Sequence, residues 1–297
     1  MRRPCTIPQD SRLTKRLAAA LAALFAACTC APALAAGVRI ESELSVMRDG
    51  NPARAEAGDG VPGEFIETAT IRLARSQRID ERSGWVLQGR ASLRQHDRYH
   101  GLNELNIGGG AVYRIQPEVS FTAPWYELGL TLERSVRADS AIRNYTRGVA
   151  NLAAGANLTD RISASAGLRL TRSVADTGSL ADQRERALDL EGNYRIGSSA
   201  TAYARWSLAR GDQTYSSMAK WYGADGSPTG TEDPALGPDL YAYRVRALTR
   251  VLEAGTFISV APRQGWSLWL RAVRSASEYG SVYTTRQVGI DWRYMLE

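Results

Sequence analysis

Val288-Gly289-Ile290-Asp291-Trp292-Arg293-Tyr294-Met295-Leu296 is the stretch whose reading decides the fold. Val288, Ile290, Trp292, Tyr294 and Leu296 hold every second place, with Gly289, Asp291, Arg293 and Met295 between them. A period of two sends the two sets to opposite faces of a strand, one apolar and one polar. The apolar face widens to Trp and Tyr at its far end, where aromatic rings meet a membrane–water interface.

The same alternation recurs upstream. Val38, Ile40, Leu44 and Val46 open a first strand against Arg39, Glu41 and Glu43. Ala69, Ile71 and Leu73 form a second, and Trp85, Leu87, Gly89, Ala91 and Leu93 a third whose other face carries Arg90 and Arg94. Further alternating segments run through residues 105–115, 126–132, 150–158, 162–170, 188–196 and 202–208. A tenth sets Tyr241, Tyr243, Val245 and Ala247 outward against Arg244, Arg246 and Arg250. An eleventh shows Trp266, Leu268, Leu270 and Ala272, with Arg271 on its other side. The count is about twelve; ten or fourteen stay open because Pro124 interrupts the fifth strand and residues 256–261 are ambiguous.

The links carry as much information as the strands. Links one, three, seven and nine (residues 49–63, 95–104, 174–183 and 211–239) are long and polar, while links two, four, six and eight are mostly short. Periplasmic turns and extracellular loops of a membrane barrel produce that asymmetry. In lipid only a closed sheet satisfies every backbone donor and acceptor. The fold expected is all-β: one transmembrane antiparallel β-barrel with short periplasmic turns and long extracellular loops.

Residues 1–35 stand apart as a cleaved secretory signal peptide, leaving residues 36–297 as the barrel. Arg2, Arg3, Arg12, Lys15 and Arg16 precede an apolar run over residues 17–27 and an Ala33-Leu34-Ala35 cleavage site. Lipidation of Cys28 is the alternative to cleavage at Ala35. The net charge of +6 includes these five basic residues and Asp10, so the rest carries only about +2, and a nucleic-acid partner is not implied. All three cysteines (Cys5, Cys28, Cys30) lie in the leader, which leaves the barrel without a thiol for disulfide, metal or nucleophilic chemistry.

On its closing strand the chain resembles bacterial outer-membrane β-barrels as a class, porin-like proteins among them. Their C-terminal assembly signal runs through alternate apolar positions to a Tyr, one further residue and a terminal Phe. Tyr294 matches the Tyr; Leu296 stands in the place of the Phe and Glu297 follows it. The resemblance implies residence in the outer membrane, contact with its lipid, and recognition by the barrel-assembly machinery.

Interface aromatics are expected at Trp85, Tyr113, Tyr194, Tyr241, Trp266, Trp292 and Tyr294. The inward face carries roughly two arginines per carboxylate, with Arg90, Arg94, Arg244, Arg246, Arg250 and Arg271 as lumen-lining candidates. Guanidinium groups bind carboxylate, sulfate or phosphate bidentately, so a porin-like channel for small solutes, anions among them, is the first functional expectation. Arginine–acid ladders filling a narrow barrel are the structural alternative, and a non-conducting interaction barrel follows from it. His96 and His100 share one loop near Ser92 and Asp97, the sole hint of an outer-membrane hydrolase; no nucleophile motif accompanies them. No catalytic, metal or cofactor site is expected. Gly108-Gly109-Gly110 lacks the helix and lysine of a phosphate loop and reads as a bend in a strand.

Overall fold

The computed structural model describes residues 37–56, 61–137, 139–217, 230–236 and 240–296. The leader and Glu297 lie outside the described residues, as do most of the positions between 218 and 239. The strands are β1 (Val38–Asp49), β2 (Glu64–Arg78), β3 (Ser83–His96), β4 (Glu104–Ile115), β5 (Trp125–Arg137), β6 (Tyr145–Asn157) and β7 (Ile162–Ala175). They continue as β8 (Gln183–Ile196), β9 (Ala200–Ser217), a two-residue β10 (Thr231–Glu232), β11 (Tyr241–Ala261), β12 (Gln264–Ser277) and β13 (Val282–Leu296). Each long strand pairs antiparallel with the next, β9 passes to β11, and β13 returns to β1. Twelve strands therefore close a barrel, with β10 an appendage on β11. The ambiguous residues 256–261 belong to β11, and β5 begins directly after Pro124, whose missing N–H makes it a natural boundary.

All odd-numbered links lie at one end of the barrel, the loop end, and the even-numbered links lie at the other, the turn end, beside both termini of the described barrel. Turns such as Gly197 (φ 67°) need the left-handed conformation that glycine adopts without steric cost. Asp80 closes the β2–β3 turn by accepting the Arg82 and Ser83 backbone N–H groups, both at 2.7 Å.

The apolar set faces outward and remains exposed: Leu130, Leu132, Leu168, Leu270 and Ile107 are each more than half accessible. Such a wall is stable only against another apolar phase, and a membrane supplies it. Its turn-end edge is aromatic. Trp85 packs on Tyr113 (ring centroids 5.0 Å apart), Trp266 is paired with Trp292, and Trp292 stacks on Tyr294 at 6.1 Å, with Tyr126 and Tyr194 at the same end. Tyr241 is a correction. It sits at the loop end and packs against a buried interior cluster of Tyr215, Tyr243, Val245, Ala247 and Tyr283 rather than in the interface belt.

On β7, β8, β9, β11 and β12 the loop-end edge carries outward arginines. Arg172 lies across from Arg184, Arg186 across from Arg210 and Arg250 across from Arg274, all exposed. Eight residues separate Trp266 from Arg274 and Tyr194 from Arg186. At about 3.4 Å per residue and a tilt near 40°, that is roughly 21 Å of apolar wall, close to the band such barrels bury.

Leu270 lies midway along this wall. Leu270→Arg is expected to destabilise the barrel by about 2–4 kcal/mol in reversible urea unfolding from phosphatidylcholine vesicles, whereas Arg274→Leu is expected to change it by under about 1 kcal/mol.

Candidate functional site

The inward face of the barrel is a ladder of guanidinium and carboxylate groups, positioned by strand alternation. On β1 and β2, Arg72 donates to Glu41 at 2.6 Å and to Glu43 at 3.0 Å, and Arg293 of β13 reaches Glu43 at 2.9 Å across the closing seam. Arg94 and Arg137 flank Glu104 at 3.4 and 2.8 Å. Arg147 pairs with Glu133 (2.9 Å) and Arg169 with Asp189 (3.2 Å). Arg205 joins Glu191 to Glu253, which also accepts Arg271 Nε at 2.7 Å.

Arg90 differs. It faces a chamber of about 440 Å³ shared with Arg72, Asn106, Thr131 and Glu133, and among the described residues it has no ion-pair partner. A larger cavity of about 900 Å³ is lined by Arg94, His96, Arg147, Arg169, Glu253 and Arg271.

Four inward aromatic rings lie flat on the wall because glycine stands beneath each. Trp125 covers Gly155, Tyr203 covers Gly255, Phe257 covers Gly265 and Trp269 covers Gly289; a Cβ on any of these glycines would strike the ring above. An arginine caps each ring on its lumen side: Arg114 over Trp125 (4.6 Å), Arg205 over Tyr203 (4.8 Å), Arg293 over Phe257 (5.9 Å) and Arg271 over Trp269 (4.9 Å). Glycine and ring together let a small barrel carry aromatics inside without projecting them across the lumen. The glycines fall in the inward set of their strands, but only the pairing register shows which ring each one receives.

Among the arginines singled out from the sequence, Arg90, Arg94 and Arg271 face inward. Arg244, Arg246 and Arg250 do not. On β11 the exposed outward set is Arg244, Arg246, Leu248, Arg250 and Leu252, while Tyr243, Val245, Ala247, Thr249 and Glu253 are buried toward the interior. The register agrees, since Arg250 is paired with outward Leu208 and Arg274, and Leu252 with Trp206. The tenth-strand expectation is therefore reversed. Near the loop end the inner wall carries a buried cluster rich in tyrosine and the exterior stands at the edge of the apolar wall, so polarity inverts there; Leu248, Leu252 and Glu253 further along the strand carry the signal that sets its face. Removing those three arginines, and adding inward Glu104, Glu185 and Glu253, leaves the lumen wall about as rich in carboxylate as in guanidinium. Arg143 sits off the strands, in a short 3₁₀ turn (Ala141–Arg143) at the loop end.

That turn holds a loop across the mouth. The chain between β9 and β11 carries Asp233, which is almost fully buried, accepts the Ser140 hydroxyl at 2.9 Å and is ion-paired with Arg143 Nε. Burial pulls the Arg143 guanidinium below its ordinary pKa, and Asp233 opposes that pull. Beside the clamp, Leu236, Ala235 and Leu240 pack on Ala53 and Leu102, residues of the β1–β2 and β3–β4 loops. Gly101 lies so close to Ala235 that a Cβ would meet its Cα. The loop thus reaches from β9 and β11 to loops on the far side of the ring. In the sequence this stretch is only a long polar link, because a contact between positions 143 and 233 has no local signature.

His96 and His100 are placed but not assembled into a hydrolytic site. His96 is buried with Nδ1 2.6 Å from Glu64 Oε1, whose other oxygen accepts the Arg98 and Tyr99 N–H groups at 3.1 Å. His100 Nδ1 lies 2.8 Å from the His96 carbonyl oxygen. Among the described residues neither imidazole is hydrogen-bonded to a hydroxyl, and no three His, Cys, Asp or Glu side chains converge as a metal site. Glu64 and His96 instead pin the start of β2 to the β3–β4 loop.

No protein-family model matches the sequence, and no curated protein matches it. Solved structures do. The COG4313 outer membrane channel from Pseudomonas putida F1 is similar over 89% of this chain and 97% of its own, with a TM-score of 0.58 at 10% identity. The CymD monoaromatic hydrocarbon channel (TM-score 0.43, 9% identity, 88% of this chain and 89% of its own) and the KdgM porin (0.36, 13%, 84% and 98%) also align. This is a bacterial outer-membrane β-barrel fold. The likeness lies in the fold; the lumen chemistry is this chain's own.

Asp233→Asn is expected to loosen the mouth loop while leaving the barrel closed. Limited proteolysis should cut between β9 and β11 at least several-fold faster, with the unheated gel mobility of the folded barrel unchanged.

Proposed function

We propose that the protein is a channel of the bacterial outer membrane for small polar solutes, with its loop end outside and its mouth crossed by the Asp233-tethered loop. The observation that carries this reading is the wetness of the charged wall. The side chains of Arg205, Arg169 and Asp189 keep 52%, 36% and 41% of their accessible surface although they point inward, so they border space that water can enter. A barrel filled for structural reasons alone would bury them.

The charge pattern sets the expected selectivity. Inward arginines are matched by neighbouring carboxylates, so their fields largely cancel over a few ångströms, and a passing solute meets alternating sign rather than one potential. Such a wall suits zwitterionic or hydrogen-bonding solutes as well as ions. Arg90, unpaired in its chamber, supplies a small residual preference for anions.

The test is conductance of the purified protein in a planar bilayer under a tenfold potassium chloride gradient. Channels are expected whose reversal potential leans to the anion side but stays well below the ~59 mV of ideal selectivity. Arg90→Glu should move it toward cations, and Asp233→Asn should raise conductance without changing its sign. Absence of conductance in both the parent and Asp233→Asn would overturn the channel reading, and near-ideal selectivity would overturn the account of the wall.

A further inference from the structure

The outward arginines at the loop end have no task in a channel, and three of them line a groove. On the outer surface of β11, β12 and β13, Arg250, Arg274 and Arg286 border a groove of about 730 Å³ whose remaining walls include Trp206, Leu252 and Ala272. Arg250 and Arg274 are direct cross-strand partners; Arg286 is paired with Ala272, one step nearer the membrane centre on the adjoining strand. Directly opposed like charges repel, and side chains so placed have Cβ atoms roughly 5 Å apart. Among the described residues none of the three has a carboxylate partner. Outward Asp212 faces Arg246 and accepts the Arg184 N–H, which leaves this groove uncompensated.

We propose that this groove binds the phosphate of an outer-leaflet lipid, with the phosphate held by Arg250, Arg274 and Arg286 and an acyl chain lying on Leu252, Ala272 and Trp206. Charge and depth argue together. The arginines stand where the apolar wall ends, at headgroup level, and guanidinium groups take phosphate oxygens bidentately. Below them the same groove turns aliphatic. A free anion has no use for that lower part, and an uncharged lipid has none for the upper. The repulsion between Arg250 and Arg274 is relieved by a doubly charged phosphate between them. The assignment rests on the orientation proposed above, with the loop end outside, and does not depend on whether the lumen conducts.

The experiment counts lipid retained by the detergent-solubilised full-length protein in native mass spectrometry, with diphosphoryl lipid A as probe. Wild type is expected to keep one lipid A per barrel. The triple variant Arg250→Gln, Arg274→Gln, Arg286→Gln is expected to bind it at least tenfold more weakly while its unheated gel mobility reports a folded barrel. Three lysines at the same positions should restore binding to within a few-fold, and Arg75→Gln, outward at the turn end, should leave it unchanged. Dephosphorylated lipid A should bind wild type no better than the triple variant, and inorganic phosphate at equal concentration should not displace the lipid. Equal retention by wild type and the triple variant would overturn the proposal, as would equal retention of dephosphorylated lipid. Displacement by inorganic phosphate would reassign the groove to a free anion. Should the triple variant fail to fold, Arg274→Gln alone decides, with at least a threefold loss expected and no loss overturning the assignment.

Discussion

A backbone in lipid has no water to satisfy its N–H and C=O groups, and the rest of this structure depends on how that demand is met. The seam between β1 and β13 meets it, with a register running from Ile40 opposite Leu296 to Asp49 opposite Gln287. Once the seam is closed, alternation must place one set of side chains in lipid and the other in a narrow interior. Leu and Ile at the first set need no partner. The charged groups at the second cannot be solvated as fully as on an open surface, so they are arranged in pairs, and Glu43 bound by Arg72 from one side and Arg293 from the other ties the seam itself.

Arginine serves two purposes in this molecule, and the parity of its position separates them. Most inward arginines are matched to carboxylates and several also lie over aromatic rings, which fixes their orientation and tempers their field. Arg114 over Trp125, itself resting on Gly155, shows the full arrangement in one place. Outward Arg250, Arg274 and Arg286 at the loop end have no carboxylate partner among the described residues, and Arg250 stands opposite Arg274, an arrangement that costs energy unless an anion from the surroundings completes it. The turn-end edge has Trp and Tyr instead, so the two edges of the apolar wall are chemically distinct and give the barrel a direction relative to the membrane.

The mouth adds a feature that the wall does not require. Asp233 and Arg143 form a buried ion pair between elements ninety residues apart, and apolar contacts at Leu102, Ala235 and Leu236 surround it. A buried pair of this kind is worth more as a positional lock than as net stability, because desolvation offsets much of its attraction. It decides where this part of the loop lies at the mouth.

Strand number, antiparallel order, alternating loop lengths and the lipid-facing residues of most strands were legible in the sequence, because a period of two and the turn-forming residues are local properties. Trp85, Tyr113, Trp266 and Trp292 fell at one edge for the same reason. Alternation alone, however, divides a strand into two sets without saying which is inside. On β11 the apolar set near Tyr243 and Val245 faces inward, against the buried ring of Tyr215 and that of Tyr283, and Arg244, Arg246 and Arg250 face out. The pairing of lumen charges, the seating of rings on glycines and the clamp on Asp233 likewise join residues far apart in the chain. The sequence by itself determined that the chain closes into a membrane barrel, since backbone hydrogen bonding in lipid allows little else. Only the tertiary structure decided which charges neutralise one another and which are left unpaired, because electrostatic partnership depends on distance in space and not on order along the chain.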